Sequence, residues 1–121
     1  RLMQGYDFVN NDNDPTDDHG HGSNVMSIAT AKGNNSAGIA GVDWRCRIMS
    51  VKILDSRNFG QYSWWISGVR YAVDMGAKVL NMSVGGLGRS NALEDAIKYA
   101  HSKGAIIVAC MMNTNNNVPY Y

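Results

Sequence analysis

Hydrophobic positions switch between two periods along the second half of the chain. Short apolar runs at 48–54, 77–82 and 105–110 are rich in β-branched residues and read as buried strands. Between them, 63–76 sets Ile66, Val69, Ala72 and Val73 at three- and four-residue steps, and 90–103 does the same with Leu93, Ala96, Ile97 and Ala100. Each of these helical patterns closes on a glycine, Gly76 and Gly104, and Ser90 or Asn91 is placed to cap the second. Strand, helix, strand, helix, strand with short connections predicts right-handed crossovers. The fold class is therefore α/β, a parallel sheet with flanking helices. Ligands of such sheets gather at the carboxyl ends of the strands, which directs attention to the loops 55–62, 83–89 and 111–117.

The first 35 residues follow a different pattern. Residues 2–9 predict a strand, 10–19 form a polar, acidic loop without apolar period, and 22–32 predict a helix ended by Gly33-Asn34-Asn35. No repeat or low-complexity linker interrupts the 121 residues, so a single domain is expected. Eleven Lys+Arg against ten Asp+Glu give a net charge of +1, which removes the electrostatic case for a nucleic-acid partner or an anionic membrane surface. No apolar run approaches the roughly 20 residues of a membrane span. Two cysteines are too few for a disulfide scaffold, and Cys46 and Cys110 are expected to stay unpaired. The chain opens on Arg1 and reads as a piece of something longer.

Four groups of residues could carry chemistry. His21 stands between Gly20 and Gly22 at a helix start, where backbone can approach closely and an imidazole can project into a cleft. It is either a structural histidine or a general base, and the second role needs an acid to fix its tautomer and a hydroxyl to deprotonate. Asp7, Asn10, Asp12, Asp14 and Thr16 offer oxygen donors at two- and three-residue steps, which suits a calcium ion or, equally, a solvated acidic turn. A zinc site on His19 and His21 with Asp17 or Asp18 is a generic spacing. The turn Gly85-Gly86-Leu87-Gly88 between a strand and a helix invites a nucleotide-binding reading, against which no acid stands at the end of the next strand.

Gly20-His21-Gly22-Ser23-Asn24-Val25 resembles the histidine motif of the subtilisin-like serine proteases, Gly-His-Gly-Thr-His-Val-Ala-Gly. Further segments resemble that family in the same order: Val51-Lys52-Ile53-Leu54, Gly60-Gln61-Tyr62-Ser63-Trp64, Val79-Leu80-Asn81-Met82-Ser83-Val84-Gly85-Gly86, and the run from Ile106 to Asn113. The resemblance covers nearly the whole chain and implies a subtilisin-like three-layer α/β/α catalytic domain, here incomplete. It implies a peptide or protein substrate, His21 as general base and Asn113 as oxyanion donor. It sets Ser83, Val84, Gly85 and Gly86 along one side of the substrate and Asn58, Phe59 and Gly60 along the other, with Tyr62 bordering a more distant subsite. Gly5-Tyr6-Asp7-Phe8-Val9 with the Asp/Asn-rich stretch resembles a calcium loop of the same family, which implies structural calcium on Asp7, Asn10, Asp12, Asp14 and Thr16.

The sequence also departs from the family pattern. Asn24, Met26 and Ser27 replace the second histidine, the alanine and the glycine of the motif, and Met111-Met112 stands where Ala-Gly precedes the asparagine. The aspartate and serine motifs of the family's triad do not occur within these residues. The expectation is a segment of a secreted serine endopeptidase, inactive in isolation, whose unpaired sheet edges favour self-association. A peptide-binding relative that keeps the groove without catalysis is the alternative.

Overall fold

The computed structural model describes residues 1–121, which fall into two compact units, Arg1–Gln61 and Tyr62–Tyr121. In the first unit, β1 (Tyr6–Asp7), α1 (His21–Thr30) and β2 (Val51–Lys52) follow in order, and β1 pairs with β2 in parallel with Tyr6 opposite Val51 and Asp7 opposite Lys52. An isolated bridge between Leu2 and Ile48 prolongs the pairing. The strands are shorter than the apolar runs at 2–9 and 48–54 because each run soon enters a turn. Asp7 closes the acidic loop by exchanging backbone hydrogen bonds with Asp12 at 2.9 and 3.1 Å, and Asp55 closes the next one onto Phe59. α1 buries none of its residues, and Ile28 is 64% exposed.

The second unit contains α2 (Tyr62–Asp74), β3 (Val79–Met82), α3 (Asn91–Ser102) and β4 (Ile106–Ala109). β3 and β4 are parallel, with Val79 opposite Ile106 and Met82 opposite Ala109. All four elements lie within two residues of the bounds that hydrophobic period predicts. The helices are held by their buried residues, whereas the two runs expected as buried strands bury only Leu80 in β3 and nothing in β4, and are held by their mutual pairing. Trp65, Val69, Ala72 and Val73 of α2 and Leu93, Ala96 and Ala100 of α3 are buried, with Leu80 and Ala105 completing the core. Full burial of a valine or leucine among these is worth about 1.5–3 kcal/mol. Ser90 caps α3 by accepting the Leu93 N–H on Oγ at 3.2 Å, and Gly76 and Gly104 follow their helices with positive φ. Successive strand residues face opposite sides, so Leu80 points to the helices while Val79, Ile106 and Val108 are exposed on the other face. Both cysteines are free. No helix is long and apolar enough to cross a membrane.

Candidate functional site

His21 opens α1, and its position is set by an aspartate four residues earlier. The N-cap is Gly20 with φ 99°, a conformation that favours glycine, and it has no side chain to satisfy the first free N–H groups. Asp17 does this instead. Its Oδ1 accepts from the backbone N–H of His19 at 3.0 Å and of Gly20 at 2.8 Å, and its Oδ2 accepts from Ser23 at 2.7 Å. Hydrogen bonds from the Ser23 hydroxyl and from the Gly20 and Ser23 amides hold the Asp17 carboxyl far below the usual carboxylate range. A negative charge at a helix N-terminus also suits the helix dipole. The His21 imidazole itself is half-buried and hydrogen-bonds to no other side chain.

A second device anchors the segment that leads to His21. Asp7 is fully buried in β1, and the Lys52 ammonium of β2 lies 3.3 Å from its Oδ2 and 2.7 Å from Asp18 Oδ2. Burial pushes the Asp7 carboxyl up, but hydrogen bonds from the Asn10 and Val9 amides and from Lys52 outweigh it and hold the group below its usual range. The bond to Asp18, then the pair with Asp7, raises the Lys52 ammonium against the opposing effect of burial. Spacing could not reveal this pair, since Asp18 and Lys52 are 34 positions apart. Asp17 did leave a sequence signal, an Asx residue just ahead of a glycine-opened helix.

The candidate calcium donors make local hydrogen bonds. Asp7 Oδ1 accepts from the Val9 and Asn10 amides at 2.7 and 2.9 Å, and its Oδ2 accepts from Asn10 Nδ2 at 2.9 Å. Asp12 Oδ1 accepts from the Asp14 amide at 2.9 Å, and Asp14 Oδ1 accepts from the Thr16 amide at 3.2 Å and from its hydroxyl. These are Asx turns, with the Lys52 ammonium supplying the positive charge at Asp7. One oxygen of each of Asp12 and Asp14 is thus engaged in a turn, while Asp7 is engaged through both of its oxygens. No group of three or more His, Cys, Asp or Glu side chains is arranged to hold a metal, which bears equally on zinc at His19 and His21.

Asn58, Phe59 and Gly60 lie in a turn organised by Asp55. Asp55 Oδ1 accepts from the Arg57 and Phe59 amides at 2.9 and 3.0 Å, Asn58 takes φ 61°, and Phe59 is 61% exposed.

In the second unit, the chain beyond β3 presents two different edges. Met82 O accepts from the Cys110 amide at 3.4 Å, Val84 O lies 3.7 Å from the Cys110 thiol, and Gly86 exchanges two backbone hydrogen bonds with Tyr121 at 2.8 and 2.9 Å. Alternate residues of an extended segment face the same edge, so Met82, Val84 and Gly86 are engaged on one side. The backbone groups of Ser83 and Gly85, on the other side, make no hydrogen bond within the chain. Tyr62 donates its phenolic hydrogen to Gly88 O and packs on Gly86, so it braces the glycine turn. Asn113 follows Met112, whose φ of 60° lies in the left-handed region. Of the asparagines around it, Asn116 accepts the Val118 amide at 3.1 Å in a turn, whereas the Asn113 amide group has no partner.

These features define a parallel α/β protein whose candidate residues lie at a helix start and beyond the carboxyl ends of its strands. The subtilase family profile matches residues 1–121. The chain belongs to the subtilase family. Thermitase of Thermoactinomyces vulgaris is 40% identical over 121 residues, covering 100% of this chain and 43% of thermitase. Sphericase superposes with a TM-score of 0.89 at 29% identity, over 97% of this chain and 41% of that one. A cold-adapted subtilisin-like serine proteinase superposes with a TM-score of 0.81 at 35% identity, over 95% and 40%. The chain thus spans less than half the length of the relatives it matches.

Proposed function

We propose that residues 1–121 are part of the catalytic domain of a secreted serine endopeptidase, and that they contribute its general base, its oxyanion donor and one wall of its substrate groove. His21 takes the proton of a serine hydroxyl and returns it to the leaving amine. The Asn113 amide donates to the oxyanion, an interaction worth about 3 kcal/mol in the transition state. The acid and the serine come from residues outside this segment, so the isolated chain does not hydrolyse peptides. The observation that carries the reading is the open edge of Ser83 and Gly85 beside an engaged Gly86, which leaves N–H and C=O groups free to pair with an extended peptide. Val84 supports that edge from its engaged side, while Asn58, Phe59 and Gly60 are assigned to substrate binding by family resemblance.

Calcium enters this reading as a ligand of the acidic loop, where Asp12 and Asp14 each keep Oδ2 outside their turns and Lys52 competes for Asp7. A calcium-dependent rise in melting temperature, abolished by Asp12→Asn, is the result that would assign it. Self-association of the isolated chain is expected through its two-stranded sheets, and a strictly monomeric light-scattering profile would count against it.

The test of the enzyme reading is a fluorophosphonate probe on the complete folded protein, alongside a His21→Ala variant. Labelling that is lost in the variant is the expected result. A folded protein that takes no label would instead favour a peptide-binding relative without catalysis.

A further inference from the structure

We propose that Met112 is a specificity-determining residue that fills the primary side-chain pocket against Gly85 and restricts cleavage to bonds after small residues such as Gly, Ala and Ser. The inference rests on the protease reading above. A peptide paired along the Ser83 and Gly85 edge sends alternate side chains to either face of the pairing plane. The face over Gly85 is already taken. Met112 Sδ lies 2.8 Å and its Cγ 3.2 Å from the point that a Cβ on Gly85 would occupy, so the thioether rests directly on the glycine backbone. The side chain is also held from behind, since the Cys110 thiol sits 3.7 Å from Met112 Sδ and 3.7 Å from Val84 O.

The backbone adds an independent argument. Met112 adopts φ 60°, where a side chain costs energy and glycine does not. A bulky residue kept in a conformation built for glycine, beside the proposed oxyanion donor Asn113, points to a use for the side chain. Methionine is unbranched and polarizable, so it can fill the pocket while still yielding to a methyl or hydroxymethyl group. A phenyl or isobutyl group would have to expel it.

The test uses the complete catalytic domain that carries this segment, in the parent form and as Met112→Gly and Met112→Ala. kcat/KM is measured on two peptide p-nitroanilides that differ only in Ala or Phe before the scissile bond, with active sites counted by fluorophosphonate labelling. The parent is expected to prefer Ala, and both variants to shift the Phe-to-Ala ratio toward Phe by at least about tenfold. Active, labelled enzyme whose ratio is the same in all three forms would overturn the pocket assignment alone. Absence of both labelling and hydrolysis in the parent would overturn the protease reading and this assignment with it. Glycine suits the φ of this position, so Met112→Gly leaves the backbone here unstrained, and labelling identifies the folded enzyme in each form.

Discussion

Asp17 Oδ2 accepts the Ser23 backbone N–H at 2.7 Å across six residues, and in doing so ties the acidic loop to the first turn of the helix that begins with His21. Gly20 gives the chain its sharp entry into that helix but cannot cap it, so the cap comes from outside the helix. Asp17→Ala is expected to cost about 1 kcal/mol, the usual loss for a cap. The pH dependence follows from the depressed carboxyl. A group bound more tightly as carboxylate in the folded state stabilises above its unfolded value, near 3.8, and loses that contribution as pH falls below it. Urea midpoints at pH 7 and pH 2.5 should therefore differ less for Asp17→Ala than for the parent. An equal difference in both would remove Asp17 from this role.

Lys52→Met strips the ammonium from a fully buried Asp7. Unpairing a buried carboxylate costs about 3–5 kcal/mol, and the lower end is expected because Val9 and Asn10 still donate to it. The double variant Asp7→Asn, Lys52→Met should recover much of the loss, and denaturant midpoints of the four proteins in the cycle give the coupling directly. Additive losses would show that the pair is incidental.

The second unit was legible in the sequence because its helices are specified by burial. Leu93, Ala96 and Ala100 repeat at helical steps and all three are buried. The first unit was legible only in outline. Its fixed points are polar, Asp17 on the start of α1 and Lys52 between Asp7 and Asp18, and polar contacts carry no period. The acidic loop shows the cost of this. Oxygen donors at two-residue steps describe a calcium loop and a series of Asx turns equally well, and only the direction of each carboxylate separates them. The resemblance placed Asn113 and Ser83 to Gly86 in sequence, while the open edge at Ser83 and Gly85 and the thioether over Gly85 emerged only from the geometry.

Met112 offers a stability test that is separate from its proposed effect on specificity. In helices and strands alanine is more stable than glycine, but at φ 60° the order should invert, because only glycine is free of the clash between Cβ and the following carbonyl. Met112→Gly is expected to be more stable than Met112→Ala by about 1 kcal/mol, compared by thermal or urea denaturation. The ordinary order, alanine above glycine, would mean that this residue leaves the left-handed region once its thioether is removed.

Tyr62, expected at the border of a subsite, donates its hydroxyl hydrogen to Gly88 O. The glycine turn is thus held at two points, by this phenol and by the paired backbone groups of Gly86 and Tyr121. Tyr62→Phe keeps the ring that packs beside Trp65 and Gly86 and removes only the donor. The expected loss of global stability is about 1 kcal/mol, the net worth of an ordinary hydrogen bond. Its local effect is more specific. With one of the two points released, the amides of 86–88 should exchange with solvent faster while those of α3 and β4 keep their protection, since the Ser90 cap and the core of α3 do not depend on the phenol. Hydrogen exchange followed residue by residue distinguishes the two outcomes: unchanged protection at Gly86 would show that the Tyr121 pair alone fixes the turn.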